Sequence, residues 1–413
     1  MNRVARVSIL GLSVIIFGWV GLGHMLGRST NDKAYKSLLV YSEVLQKVQQ
    51  DYVDEPNMHL VAAGSLHGLL ESLDSESSYL TAREYSEYKQ KSATPGIGET
   101  GLNLSKRFGY IIVTSILPDS PAEKAGLHSG DIFESVGGFT TREMSVGQAK
   151  NLLFGQPGSS VKIGVIRRGK TQPDSIELTR EKLAPTKLLA QKVDNDTLAL
   201  RFSSIDTGRA DEVRNRLLEA QKQGITKVIL DLRDCGRGQA AEAIAIARLF
   251  VPSGSLTKLK GQTVTEVVYA AEPTKVIWKG PVSILMDGTT TGAAEVLATS
   301  LAASKRGDLV GDRTFGLASE QKLIPMEDGA ALILTVANYY NADGKTILDE
   351  GVTPTEIVRA SAAPPDDSDD SDTASADAGA QKEPPAGPKP LSADDAVLHR
   401  ALDLLKGPAK KAA

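Results

Sequence analysis

Hydrophobic and polar positions divide the chain into distinct regimes. Residues 35–50 carry apolar side chains at helical spacing (Leu38, Leu39, Val44, Leu45, Val48), and Asp51-Tyr52-Val53-Asp54-Glu55-Pro56 ends that run. A second helix is predicted to follow, with Leu60, Val61, Leu66, Leu69, Leu70 and Leu73 on its buried side. Residues 73–81 read as a turn and 82–91 as a short polar helix. His59 and His67, eight residues apart, read as surface or core side chains rather than ligands.

From residue 94 to about 183 the pattern changes to short strands broken by glycine turns. Residues 108–116 and 161–168 read as strands, 130–138 as a strand running into a turn, and 145–154 as a helix. The run Ser120-Pro121-Ala122-Glu123-Lys124-Ala125-Gly126-Leu127 opens with a helix cap and closes at a glycine. Between 194 and 358 strands alternate with helices, as in an α/β layer. A strand over 197–202 precedes a helix over 210–223 with Val213, Leu217, Leu218 and Ala220 inward. Lys227-Val228-Ile229-Leu230-Asp231-Leu232-Arg233 is apolar enough to be buried on both faces. A loop over 234–238 leads into a helix over 239–250. Residues 282–286 form another buried strand, and 332–338 with a turn at 341–344 complete the layer. Residues 360–390, rich in Asp, Ser, Ala and Pro, are expected to be disordered and acidic. Ser392 is then predicted to cap a last amphipathic helix, bearing Val397, Leu398, Ala401, Leu402, Leu404 and Leu405, that docks back on the core.

Composition narrows the chemistry. A chain of 413 residues has room for two or three domains, and a net charge of −4 without a basic stripe gives no reason to expect nucleic acid. The single cysteine, Cys235, excludes an internal disulfide, and with five scattered histidines it makes no zinc site of the usual spacing. No metal and no cofactor are expected. Arg3 and Arg6 precede an uncharged apolar run over 7–27, about long enough to span a bilayer. That length favours an uncleaved anchor over a signal peptide, although Gly21-Leu22-Gly23 leaves cleavage open. The arginines ahead of the span place the bulk of the chain outside the cytoplasm.

Five runs in order, LDSESSYLTAREY, SPAEKAGLHSGDIF, KVILDLRD, LVGDRTFG and DEGVTPTEIV, give the chain its resemblance to the carboxyl-terminal processing (tail-specific) serine peptidase family. The resemblance covers essentially all of 35–358 and implies a crotonase-like α/β core with an inserted PDZ domain. The implied layout is an anchor or signal segment over 1–29, a helical region over 30–93, the PDZ domain over 94–184 and the peptidase-like core over 185–358. The acidic insertion over 359–390 and a C-terminal helix over 391–406 follow. In the family a PDZ domain captures a substrate C-terminus and a Ser/Lys dyad cuts the chain. The implied peptide-binding loop and strand are Gly98, Glu99, Thr100, Gly101, Leu102, Asn103 and Leu104, where backbone N–H groups would meet a terminal carboxylate and the peptide would add to the sheet edge.

A Ser/Lys dyad needs a hydroxyl on a sharp turn, an amine kept neutral by burial, and backbone donors for the oxyanion. Anchoring on Glu295, the family's nucleophile position is Gly292; anchoring on Phe315-Gly316, its base position is Leu317. Gln321 keeps the glutamine that helps to hold the base. The oxyanion loop, Asn-Pro-Gly-Gly in the family, is Cys235-Gly236-Arg237-Gly238 here, with Ala293 beside it. Thr291 is one residue off register and lacks a base; Lys322 is offset to the opposite face of an extended segment. Cys235 lacks a histidine partner and reads as structural. Glu295 and Asp312 read as solvated or capping carboxylates rather than a catalytic pair.

The resemblance thus implies a peptidase-family protein without its dyad, held at the inner membrane with its bulk in the periplasm, or released there if the leader is cleaved. Its expected partners are protein C-termini or unfolded tails, the membrane, and either a second copy or an active paralogue. Two alternatives stay open, a working peptidase using Thr291 or an unrecognised base, and a purely structural envelope protein.

Overall fold

A computed structural model describes residues 32–167, 172–341, 343–359, 391–392 and 394–407. The apolar run over 7–27 and the acidic segment over 360–390 lie outside these residues. Among the described residues no helix is long and apolar enough to cross a membrane. Two compact units divide between Ser65 and Leu66.

The first unit holds helix α1 (Asp32–Asp51) and the start of α2 (Met58–Glu71). The apolar stripe of α1 is present, but Leu38, Leu39 and Val44 are exposed, as is Leu60 of α2. In the second unit the remainder of α2 buries only His67 and Leu70. Leu69 and Leu73, expected to be inward, are exposed. Periodicity marks a stripe on a helix; it does not supply a surface to cover it.

The segment read as a turn after α2 contains strand β1 (Ser78–Leu80), which pairs with a strand some 250 residues later. Helix α3 (Ala82–Ala93) follows, its Thr81 cap and Glu84 forming a reciprocal capping box. The next elements are β2 (Leu102–Arg107), β3 (Tyr110–Ile116), α4 (Pro121–Lys124), β4 (Ile132–Val136), β5 (Phe139–Thr140), α5 (Val146–Leu153), β6 (Ser160–Ile166) and β7 (Asp174–Thr179). They form one antiparallel sheet in the order β2-β3-β4-β6-β7, with β5 paired to β4. Ser120 caps α4, as read from the sequence, and Ser145, read as the first residue of a helix, is instead the cap of α5. Phe108 is not part of a strand: at φ 52 it sits with Gly109 in the tight turn joining β2 to β3, and it is 97% exposed.

The α/β layer comprises β8 (Leu189–Asp194), β9 (Thr197–Arg201), α6 (Arg209–Lys222), β10 (Lys227–Asp231), α7 (Ala240–Arg248), β11 (Ser255–Lys260), β12 (Val267–Ala270), β13 (Val282–Met286), α8 (Ala293–Ala303), β14 (Asp308–Gly311), β15 (Ser319–Pro325), β16 (Ala331–Tyr340), β17 (Glu356–Ile357) and α9 (Ala396–Lys406). A six-stranded sheet runs β17-β14-β13-β10-β9-β8, parallel except for the β8–β9 pair. Side chains alternate across it, so Val228 and Leu230 join the core beneath α6, α7 and α8, while Ile229 joins Leu398, Ala401 and Leu405 of α9 on the other face. Leu218 of α6, expected inward, is 37% exposed. A second sheet, β1-β16-β11-β12 with β15 also on β16, carries β1 across from the segment before the PDZ-like sheet. The β2–β7 sheet is therefore inserted into the α/β fold.

The C-terminal helix docks on the sheet as expected, but Asp395, not Ser392, is its cap. Its carboxylate accepts from the Val397 and Leu398 amides and pairs with Arg233 at 2.7 Å. Arg233 also forks onto Asp231, with two contacts of 2.8 Å. Burial opposes the Arg233 charge, and the two carboxylates outweigh it and raise its pKa.

Candidate functional site

Three loops converge at the carboxyl ends of β10, β13 and β14. The first follows β10, the second runs from Asp287 to Gly292, and the third spans Thr314 to Leu317. They are tied together along their backbones: Thr291 N donates to Cys235 O at 3.1 Å, Phe315 N to Thr290 O at 3.2 Å, and Asp234 N to Thr289 Oγ1 at 2.7 Å.

Glu295 holds the centre. It is fully buried and lies in the first turn of α8. One carboxylate oxygen accepts from Thr314 Oγ1 and Gly316 N, both at 2.6 Å. The other accepts from Leu317 N at 2.7 Å and Gly292 N at 2.9 Å. Burial pushes the carboxyl pKa upward, and the hydroxyl and three amides pull against that shift. The expectation that Glu295 is capping is met in its bond to Gly292; the expectation that it is solvated is not. Its partners across the third loop went unread because no local pattern signals them. Asp312 is exposed; its carboxylate accepts from Arg313 N at 2.8 Å and lies 4.0 Å from Arg359.

Gly292, the position the family resemblance assigns to a nucleophile, is the N-cap of α8 with φ 58 and ψ −116. Side chains rarely adopt such a backbone. A Cβ added there would meet nothing within 4 Å, so room for a side chain exists. Leu317, at the base position, is half-buried. Its amide shares a carboxylate oxygen with the Gly292 amide, so the two positions are neighbours in space. Gln321 Nε2 instead donates to Glu76 O at 3.1 Å. Lys322 lies in β15 with an exposed side chain.

The threonines differ. Thr289 Oγ1 donates to Asp287, and Thr290 Oγ1 to Leu232 O. Thr291 Oγ1 has no hydrogen-bond partner among the described residues and is 2% exposed. Cys235 is fully buried, and burial pushes its thiol well above the ordinary range, which keeps it protonated and inert.

Of the oxyanion-loop equivalents, Gly236 and Arg237 lie against the inserted domain, while Gly238 bridges to Ile205 of the core. A Cβ at Gly236 would stand 2.1 Å from Ser115 Oγ and 3.0 Å from Thr291 Oγ1, so only glycine fits this approach. Ala293 is buried at the start of α8. Arg237 forks onto Glu99 at 2.7 and 3.4 Å. Burial opposes the Arg237 charge, and the Glu99 carboxylate outweighs it. At the far end of β2, Arg107 stacks 3.9 Å over the Phe315 ring and donates to Phe315 O. The inserted domain therefore reaches two of the three loops, through Glu99 and Arg107. This relation between the inserted sheet and the core was not legible in the sequence.

Of the residues assigned to peptide binding ahead of β2, Gly98 and Glu99 have amides already engaged. Gly98 N donates to Gly155 O at 2.7 Å and Glu99 N to Glu181 O at 2.8 Å. The Thr100 and Gly101 amides donate to no atom among the described residues. Leu102, Asn103 and Leu104 lie on β2, an end strand of its sheet. Ser105 and Lys106 further along it are buried, with Lys106 Nζ 2.7 Å from Glu71 and Ser105 Oγ 3.4 Å from Ser75.

The profile of peptidase family S41 matches residues 196–358 and a PDZ-domain profile matches 112–167. The carboxy-terminal processing protease CtpA of Bacillus subtilis is 26% identical over 352 residues, 85% of this chain and 74% of its own. A carboxyl-terminal-processing protease of Synechocystis is 28% identical over 381 residues, covering 86% and 88%. The solved photosystem II D1 C-terminal processing protease shares the fold, with a TM-score of 0.65 at 23% identity over 78% of this chain and 92% of that one. An S41-type α/β core carrying a PDZ domain is the class that fold and site define. The S41 and PDZ matches, together with the carboxy-terminal processing relatives, support a CtpA-like family for the chain.

Proposed function

We propose that this family member is non-catalytic and works as a membrane-tethered, extracytoplasmic protein that binds the C-termini or unfolded tails of other proteins. One observation carries the reading. Gly292 and Leu317 stand side by side on one oxygen of Glu295, and neither side chain can attack a carbonyl or move a proton. The loops around them remain cross-linked as a peptidase site would require. Leucine in place of a buried amine removes the cost of desolvating a charge there.

The PDZ domain supports retained binding, with β2 at the end of its sheet and free amides at Thr100 and Gly101. The apolar run over 7–27 supports an inner-membrane anchor with the domains in the periplasm. A second copy or an active paralogue is a candidate partner in such an adaptor role. A second reading, a working peptidase, rests on the Thr291 hydroxyl alone, since it is the one threonine hydroxyl in that run without a partner among the described residues. The binding claim is tested by titrating the full chain with one peptide in free-acid and C-terminally amidated forms. Tighter binding of the free acid is expected; equal binding would remove tail capture from the account.

A further inference from the structure

The fork between Arg237 and Glu99 joins the loop after β10 to the stretch that the tail-binding reading assigns to a peptide terminus. Arg237 stands in the run Cys235-Gly236-Arg237-Gly238, between two glycines, and is the one charged side chain of that run. It is the core domain that supplies it, across 138 residues of sequence. Glu99 belongs to the Gly98–Leu104 stretch, and the two residues after it, Thr100 and Gly101, are buried with amides that donate to no described atom. A carboxylate already lies on the guanidinium at this place. A second carboxylate, at a chain terminus, has the same geometry and charge.

We propose that Arg237 is a specificity-determining residue for tail binding: the terminal carboxylate of a bound chain displaces Glu99 from the Arg237 guanidinium and takes the Thr100 and Gly101 amides. Glu99 then acts as an internal competitor that holds the guanidinium in place while the groove is empty. The ligand class follows from the chemistry. It is a polypeptide with a free α-carboxylate, and an internal loop or an amidated end lacks the charge that Arg237 selects. This inference rests on the tail-binding reading above.

The test uses the full chain and a short peptide ending in an apolar residue, free or amidated, titrated calorimetrically against wild type, Arg237→Gln and Glu99→Gln. A charge-assisted hydrogen bond is worth about tenfold or more in affinity, so Arg237→Gln should weaken the free acid by about tenfold and leave the amide unchanged. Glu99→Gln, which removes the competitor, should strengthen the free acid severalfold. An Arg237→Gln variant that keeps the wild-type ratio of free acid to amide would overturn the proposal, as would a Glu99→Gln variant with no gain. If the wild type itself shows no preference for the free acid, tail capture fails as well, which separates the two failures. Should Arg237→Gln not fold, the Glu99→Gln arm decides alone.

Discussion

Gly292 and Leu317 donate their amides to the same oxygen of Glu295, at 2.9 and 2.7 Å. A nucleophile and its base would have to be neighbours, and these two positions are. The carboxylate clamp thus holds together a glycine and a leucine, neither of which carries a nucleophile or a base.

The clamp makes a stability prediction. Glu295→Gln keeps the volume but turns a donor toward backbone N–H groups, leaving at least one of them buried and unpaired. A destabilisation of about 2–4 kcal/mol is expected. Chemical denaturation checks it, and a variant as stable as wild type would show that the four bonds do not hold the loops.

Glycine at 292 is conformationally demanded but not sterically demanded. Gly292→Ser should therefore cost about 1–3 kcal/mol through its positive φ, with no change in fold. Equilibrium denaturation with a crystal structure of the variant tests both halves. A loss well beyond that range would point to a clash that the open space around Gly292 does not contain.

His67 gives a pH signature. It is buried, its Nδ1 has no partner among the described residues, and burial lowers its pKa against the opposing pull of Glu84 and Glu71. A base whose folded pKa is depressed stabilises the protein above its unfolded value, about 6.5, and that contribution is lost as pH falls. The thermal midpoint should drop between pH 7.5 and 5.5, and His67→Gln should drop less. An unchanged slope in His67→Gln would assign the pH dependence to other groups.

Asp395 is the opposite chemical type with the same direction of loss. Burial alone would raise its carboxyl; Arg233 and the α9 amides outweigh that and hold it below the ordinary value. Its contribution is present above about pH 3.9 and disappears on acidification. Asp395→Ala removes the cap of α9 and leaves Arg233 short of one carboxylate. Hydrogen exchange in Ala396–Lys406 should then rise markedly, with the β10 amides changing less.

Much of the fold was readable because local signals and tertiary demands agreed. The apolar run over 227–233 read as a strand buried on both faces and is one over Lys227–Asp231, and Ser120 capped the helix it preceded. Elsewhere a distant partner decided. Ser78–Leu80 looks like a polar turn and becomes a strand because β16 supplies its hydrogen bonds. Ser392 and Asp395 are equally good caps by type, and Arg233 favours the second. Phe108 has the residue type of a strand, but the β2–β3 connection needs a positive φ there. At the site, the sequence could place Gly292 and Leu317 only by family resemblance. That Glu295 joins them, or that Arg237 reaches Glu99, depends on contacts between residues far apart in the chain.

The central claim is that the scaffold binds tails without cutting them. The most direct measurement incubates the full chain with an unfolded protein bearing a free apolar C-terminus and follows cleavage by mass spectrometry, beside Thr291→Ala and the double variant Gly292→Ser/Leu317→Lys. The account predicts no turnover by the wild type and turnover gained by the double variant. Wild-type cleavage that disappears in Thr291→Ala would contradict it.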